Sequence, residues 1–164
     1  MDNNTTLKSH SHSVFRLHYH LVIVTKYRRK VLTKIMLDSL HQIFLRLCES
    51  WGGSLTEFSG EADHVHLLFE GHPNMELAKF VNNLKTVSSR LLRRDFTIHL
   101  EKFYSDPARK REQPDRCCLV SKKVRVLGQD SKNVVWSGSY CILSTGGAPL
   151  EVIKKYIQAQ NVPT

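Results

Sequence analysis

Two histidines one residue apart, His64 and His66, lie within EADHVHLLFE at 61–70. In a strand, period two puts both imidazoles on one face and Val65, Leu67 and Phe69 on the other. Neighbouring imidazoles on one face can converge on a single cation. The same parity sends Asp63 to the apolar side, so it is not counted as a ligand. Two ligands are too few for a metal site, and two surface imidazoles on an open sheet face would look the same in sequence. A second pair lies near the other end of the chain. Tyr156 and Gln160 are four apart, hence on one face of a helix. Gln160 could give a carbonyl oxygen as third ligand, with Tyr156 as a nucleophile beside the metal. The alternative is that Tyr156 packs and Gln160 is solvated.

The elements that would position these groups follow from periodicity. VFRLHYHLVIVTKY at 14–27 alternates, with Phe15, Leu17, Tyr19, Leu21 and Ile23 set against Arg16, His18, His20 and Val22. That predicts a strand. Leu32, Ile35, Met36, Leu40, Ile43, Phe44 and Leu47 recur at three and four, an amphipathic helix that Gly52 and Gly53 end. SLTEFSGE and HVHLLFEG are two strands joined at Gly60–Asp63, hence a hairpin. A second helix follows within 72–96, with Asn74 as N-cap. Its buried stripe is Leu77, Phe80, Val81, Leu84, Val87 and Leu91; Lys79, Asn83, Thr86, Arg90 and Arg93 face the other way. VVWSGSYCILS is a further strand, and Pro149 opens a last helix. Strand, helix, strand, strand, helix, strand is the split βαβ order. The expectation is an α+β, ferredoxin-like βαββαβ antiparallel sheet with helices on one face, plus a C-terminal helix carrying Tyr156.

The chain of 164 residues fits one domain, expected over 14–164 behind a flexible tail at 1–13. Its net charge of +9 points to a polyanion, with nucleic acid first. Candidate DNA contacts are Lys26, Tyr27, Arg28, Arg29 and Lys30 in KYRRK, where the phenol could stack on a base. Lys79, Lys85, Arg90, Arg93 and Arg94 on the second helix complete the set, although a charged helix face is often merely solvated. No stretch reaches the ~20 apolar residues of a membrane span. The polar N-terminus has no apolar signal core, and the four cysteines form no CxxC pair. No membrane partner and a reducing cytoplasm are expected. No P-loop is present, so no nucleotide cofactor is expected.

Several stretches in order resemble the TnpA-like HUH single-tyrosine transposases of the insertion-sequence 200/605 type: YHLVIVTKYRRKVL at 19–32, DHVHLL at 63–68, KFVNNLKTVSSRLLRRDF at 79–96 and WSGSYCILSTGGAPLEVIKKYIQAQ at 136–160. The resemblance implies that His64 and His66 are the HUH pair, Tyr156 the nucleophile and Gln160 the third ligand. It implies magnesium or manganese as cofactor; ligand softness alone leaves zinc open. It implies a homodimer with composite sites that binds single-stranded DNA hairpins, then cuts and rejoins strands through a 5′-phosphotyrosine. The sequence departs from the family at about 104–133, which is read as an insertion. A rival reading on the same scaffold is a non-cleaving regulator that binds DNA or RNA hairpins; a zinc hydrolase is a third.

Overall fold

The structure, a computed structural model, describes residues 7–10, 12–104, 134–145 and 155. Tyr156, Gln160, the GGAP turn, the last helix apart from Lys155, and residues 105–133 of the expected insertion lie outside the described residues.

The elements are β1 (Lys8–His10), β2 (Ser13–Phe15), β3 (Leu17–Val24), α1 (Lys34–Ser50), β4 (Ser54–Gly60), β5 (His64–Gly71), α2 (Leu77–Asp95), α3 (Thr97–Tyr104) and β6 (Cys141–Ser144). The main sheet has the order β4-β5-β3-β6, antiparallel throughout. With β1 and β2 set aside, this is the ferredoxin-like α+β arrangement that the element order predicts. Leu21, Ile23, Val65, Leu67 and Phe69 are fully buried and join one core with Met36, Leu40 and Phe44 of α1 and Phe80, Val81 and Leu84 of α2. The alternation in β3 and β5 and the three-four spacing in α1 thus meet in a single hydrophobic layer.

Local detail departs from expectation in five places. Residues 8–10 and 13–15, read as tail or strand margin, pair with each other, with Lys8 opposite Phe15. The N-cap of α2 is Glu76 rather than Asn74, and it makes no side-chain capping bond. Val87 and Leu91 are half-buried, while Ser88 and Ser89 are buried in their place. The stripe turns because Ser88 Oγ accepts the indole N–H of Trp136 at 2.8 Å and Ser89 Oγ accepts Val135 N–H at 3.3 Å. A hydrogen-bonding wall of the core therefore consists of serines. Fourth, α3 forms between the expected second helix and the expected insertion, where no element is predicted. Its Leu100 is buried, and His99 Nε2 meets the carbonyl oxygen of Val31 at 2.8 Å.

The strand read at 134–144 is broken in two. Trp136 bridges Thr25, and regular pairing resumes only at Cys141 opposite Val22. Between them Gly138–Tyr140 arch away, tied by Lys85 Nζ, which donates to the Gly138 carbonyl at 2.8 Å. Finally, Gly52 ends α1 with φ +72°, as the glycine pair predicts. No helix among the described residues is long and apolar enough to cross a membrane.

Candidate active site

The β4–β5 turn leads into the histidines, and the backbone clamps it. Thr25 N–H donates to the Asp63 carbonyl at 2.8 Å, Leu32 N–H to the Ala62 carbonyl at 2.9 Å, and Glu61 N–H to the His64 carbonyl at 2.9 Å. Strand β5 begins at His64. Parity beyond that point is not enforced by the ladder, and Asp63 does not follow it. Its carboxylate turns to the histidine side: Oδ1 lies 2.6 Å from His64 Nδ1 and Oδ2 accepts Arg28 Nε–H at 3.2 Å. The expectation that Asp63 points with the apolar set is therefore corrected.

His64 and His66 lie on one face as parity predicts, with ring centroids 5.0 Å apart and planes at 76°. The face around them is not open. His66 is 6% exposed and Leu68, its neighbour on that face, is fully buried. Part of this cover is a third imidazole. His20 of β3 stands diagonally across the ladder from His66, because Val22 is opposite His66 and Leu68 is opposite His20. The His20 and His66 rings are near parallel at 16°, with centroids 5.2 Å apart, and His20 Nε2 lies 3.0 Å from His66 Nδ1.

The electrostatics follow from this packing. Burial, then the neighbouring His64 and His20, pushes His66 down to about 4, so it is a neutral ring at neutral pH. Burial also lowers His20. For Asp63 burial acts upward, but the His64 hydrogen bond and the Arg28 and His64 charges outweigh it and hold the carboxyl below its ordinary range.

Two imidazoles beside a carboxylate form a donor set that suits a divalent cation of mixed nitrogen and oxygen preference. Among the described residues, Glu61, Asp63 and His64 also bring one ligand atom each to within 4.8 Å of one another. Sequence reasoning missed His20 and Asp63. The signal for His20 was present, since alternation in β3 already put it opposite the apolar face.

The basic candidates separate by what they touch. Arg28 pairs with Asp63, and Lys79 pairs with Glu76 at 2.7 Å. Arg94 pairs with Asp95 at 2.6 Å. The Arg29 guanidinium lies 5.2 Å from both the Tyr27 and Tyr104 rings and donates to the Phe103 carbonyl, so it ties the KYRRK turn to α3. Lys85 is half-buried, lies 5.6 Å from the Tyr140 ring, and is lowered by burial. Arg93 is half-buried; Lys26 is half-buried, with its Nζ 5.4 Å from the Tyr27 ring. Tyr27, Lys30 and Arg90 are exposed. Tyr27 and Arg28 have φ of 62° and 50°, so two consecutive non-glycine residues adopt the left-handed conformation that presents this turn.

The sequence pattern of the family described as "Transposase IS200 like" matches residues 13–108 and 119–160. The ISDra2 transposase TnpA of Deinococcus radiodurans is 28% identical over 148 residues, 90% of this chain and 86% of that protein. The transposase for insertion sequence element IS200 of Salmonella typhimurium is 34% identical over 89 residues; the match spans 54% of this chain and 59% of that protein. A crystal structure described as a transposase from Deinococcus radiodurans R1 superposes with a TM-score of 0.63 at 28% identity, covering 95% of this chain and 99% of that one.

Proposed function

Because this chain belongs to the IS200-like transposase family, and is thereby an enzyme that cleaves and rejoins DNA in transposition, we propose that it acts on single-stranded DNA hairpins through a covalent tyrosine intermediate. His64 and His66 are the protein's metal-binding pair, with Gln160 as third ligand and magnesium or manganese as the cation. When bound, that cation supplies positive charge at the scissile phosphate. Tyr156 is the nucleophile. Its phenolic oxygen forms a bond to phosphorus and the P–O3′ bond breaks; the proton that the phenol gives up to solvent is balanced by one taken up at O3′, leaving a 5′-phosphotyrosine and a free 3′-hydroxyl. The phosphotyrosine link preserves the energy of the broken bond, so a second 3′-hydroxyl can displace Tyr156 without a nucleotide cofactor.

The active form is a homodimer with composite sites in the cytoplasm, and residues 14–164 act as one transposase unit. Lys30, Arg90 and Tyr27 lead the DNA contacts, with Lys26, Arg28, Arg29, Lys79, Lys85, Arg93 and Arg94 around them. The observation that supports this reading most is the side-by-side placement of His64 and His66, each with Nδ1 within hydrogen-bond reach of another side chain.

The test is incubation with an end-labelled single-stranded hairpin and Mg2+, followed by denaturing electrophoresis. A covalent protein–DNA adduct is expected, absent in Tyr156→Phe and after chelation. An adduct that survives Tyr156→Phe would reject the nucleophile, and one that survives chelation would reject the metal.

A further inference from the structure

We infer that His20 and Asp63 are positioning residues that lock the two metal-binding histidines in one tautomer, Asp63 acting on His64 and His20 on His66. The inference rests on the metal reading above. It adds two residues to the His64, His66 and Gln160 set that the resemblance assigns to the metal.

A neutral imidazole carries one N–H, and its other nitrogen is the lone pair that can ligate. Which nitrogen ligates is set by the hydrogen bond the other one makes. The Asp63 carboxylate oxygen, at 2.6 Å, is the acceptor, so this hydrogen bond keeps a proton on His64 Nδ1. That makes Nε2 the ligating atom. For His66 the partner is an imidazole nitrogen at 3.0 Å, His20 Nε2. One of those two atoms must donate. If His66 ligates through Nε2, its proton lies on Nδ1, and His20 Nε2 accepts it with its own proton on Nδ1.

The two locks come from different parts of the chain. Asp63 sits on the clamped turn, with Arg28 Nε holding its second oxygen at 3.2 Å. His20 sits on the neighbouring strand, and the β3–β5 register brings it to His66. The near-parallel rings, at 16°, give the His20–His66 pair the in-plane approach that a ring N–H donor needs.

The test combines Mn2+ titration by electron paramagnetic resonance with the tautomers of His64 and His66, read from long-range 1H–15N correlations on the metal-free protein. Wild-type protein is expected to bind Mn2+ and to show the Nδ1–H form at both histidines. His20→Phe keeps a ring and removes the acceptor; His20→Gln restores a carbonyl acceptor. The first should weaken Mn2+ about 10–100-fold, the range for outer-sphere partners, and shift His66 toward Nε2–H; the second should recover part of both. Asp63→Leu removes the acceptor and should do the same to His64, whereas Asp63→Asn keeps a carbonyl acceptor and should preserve part of both.

Variants that bind Mn2+ like wild type with tautomers unmoved overturn the inference alone. Loss of Mn2+ in Asp63→Asn with His64 still in the Nδ1–H form makes Asp63 a direct ligand and overturns its positioning role. Wild-type His64 or His66 found as Nε2–H overturns the inference whether or not any variant folds. Wild-type protein that binds no Mn2+ overturns the metal reading and this inference with it.

Discussion

The indole N–H of Trp136 donates to Ser88 Oγ at 2.8 Å, and both residues are buried. The hydroxyl in turn donates to the Leu84 carbonyl at 2.6 Å, so α2 and the segment entering β6 share one small relay. Removing the hydroxyl leaves the buried indole N–H without this acceptor. Ser88→Ala should cost about 1–3 kcal/mol, measured by urea unfolding. A cost below about 0.5 kcal/mol would mean that the indole finds another acceptor.

Gly60 closes β4 immediately before the turn that carries Asp63. A Cβ there would stand 2.7 Å from Leu37 Cδ2 and 2.9 Å from Val65 Cγ1. Gly60→Ala should destabilise by about 1–3 kcal/mol, as overpacking does. It should also move the His64 ring signals in NMR spectra, because the turn is displaced. Unchanged stability with unchanged His64 signals would show that Leu37 yields freely.

The cations should divide into two groups in DNA binding. Lys30 and Arg90 are exposed, whereas Lys85 is half-buried and ties the arch at Gly138 to α2. For single strands the slope of log affinity against log salt is roughly −0.7 per phosphate contact. Lys30→Ala and Arg90→Ala should each reduce the slope by about that amount and leave melting unchanged. Lys85→Ala should lower the melting temperature more than it changes the slope. The reverse pattern, read from fluorescence anisotropy at several salt concentrations, would contradict this division.

Burial, with the Glu49 charge beside it, pushes the Cys48 thiol up to about 12, while Cys141 is exposed. A thiol with a raised folded pKa keeps its proton longer in the native state than in the unfolded one. Its contribution to stability is therefore complete below the unfolded value and is lost as pH rises through about 12. In a protein with Cys117 and Cys118 replaced by serine, one thiol should react quickly with an aromatic disulfide reagent at pH 8. The second should react only in denaturant. Two fast thiols would show that α1 opens around Cys48.

Much of the scaffold was legible because its signals are local. Alternation located β3 and β5, and three-four spacing located α1. What was not legible depends on partners distant in sequence. Ser88 and Ser89 look like solvent-facing residues until Trp136 and Val135 arrive to use their oxygens. His20 was on the correct face by parity, but its meeting with His66 depends on which residues oppose each other across two strands, and alternation carries no register. Asp63 was misread for the opposite reason: a rule that holds inside β5 was extended one residue past its end. Tyr156 and Gln160 were singled out by helical spacing and by resemblance to the family, and the adduct assay tests the role of Tyr156.

The ladder between β3 and β5 has one more consequence. It pairs Val22 with His66 and His20 with Leu68, and side chains alternate faces at every step. Deleting a single residue between His20 and Thr25 would carry His20 to the helix side and bring an apolar neighbour to His66, although the strands stayed hydrogen-bonded. Deleting two would restore the parity but shift every partner. The imidazole cluster thus behaves like two combs that mesh at one offset. A change of chain length in these strands acts on it as a phase error, and no adjustment of distance can correct that.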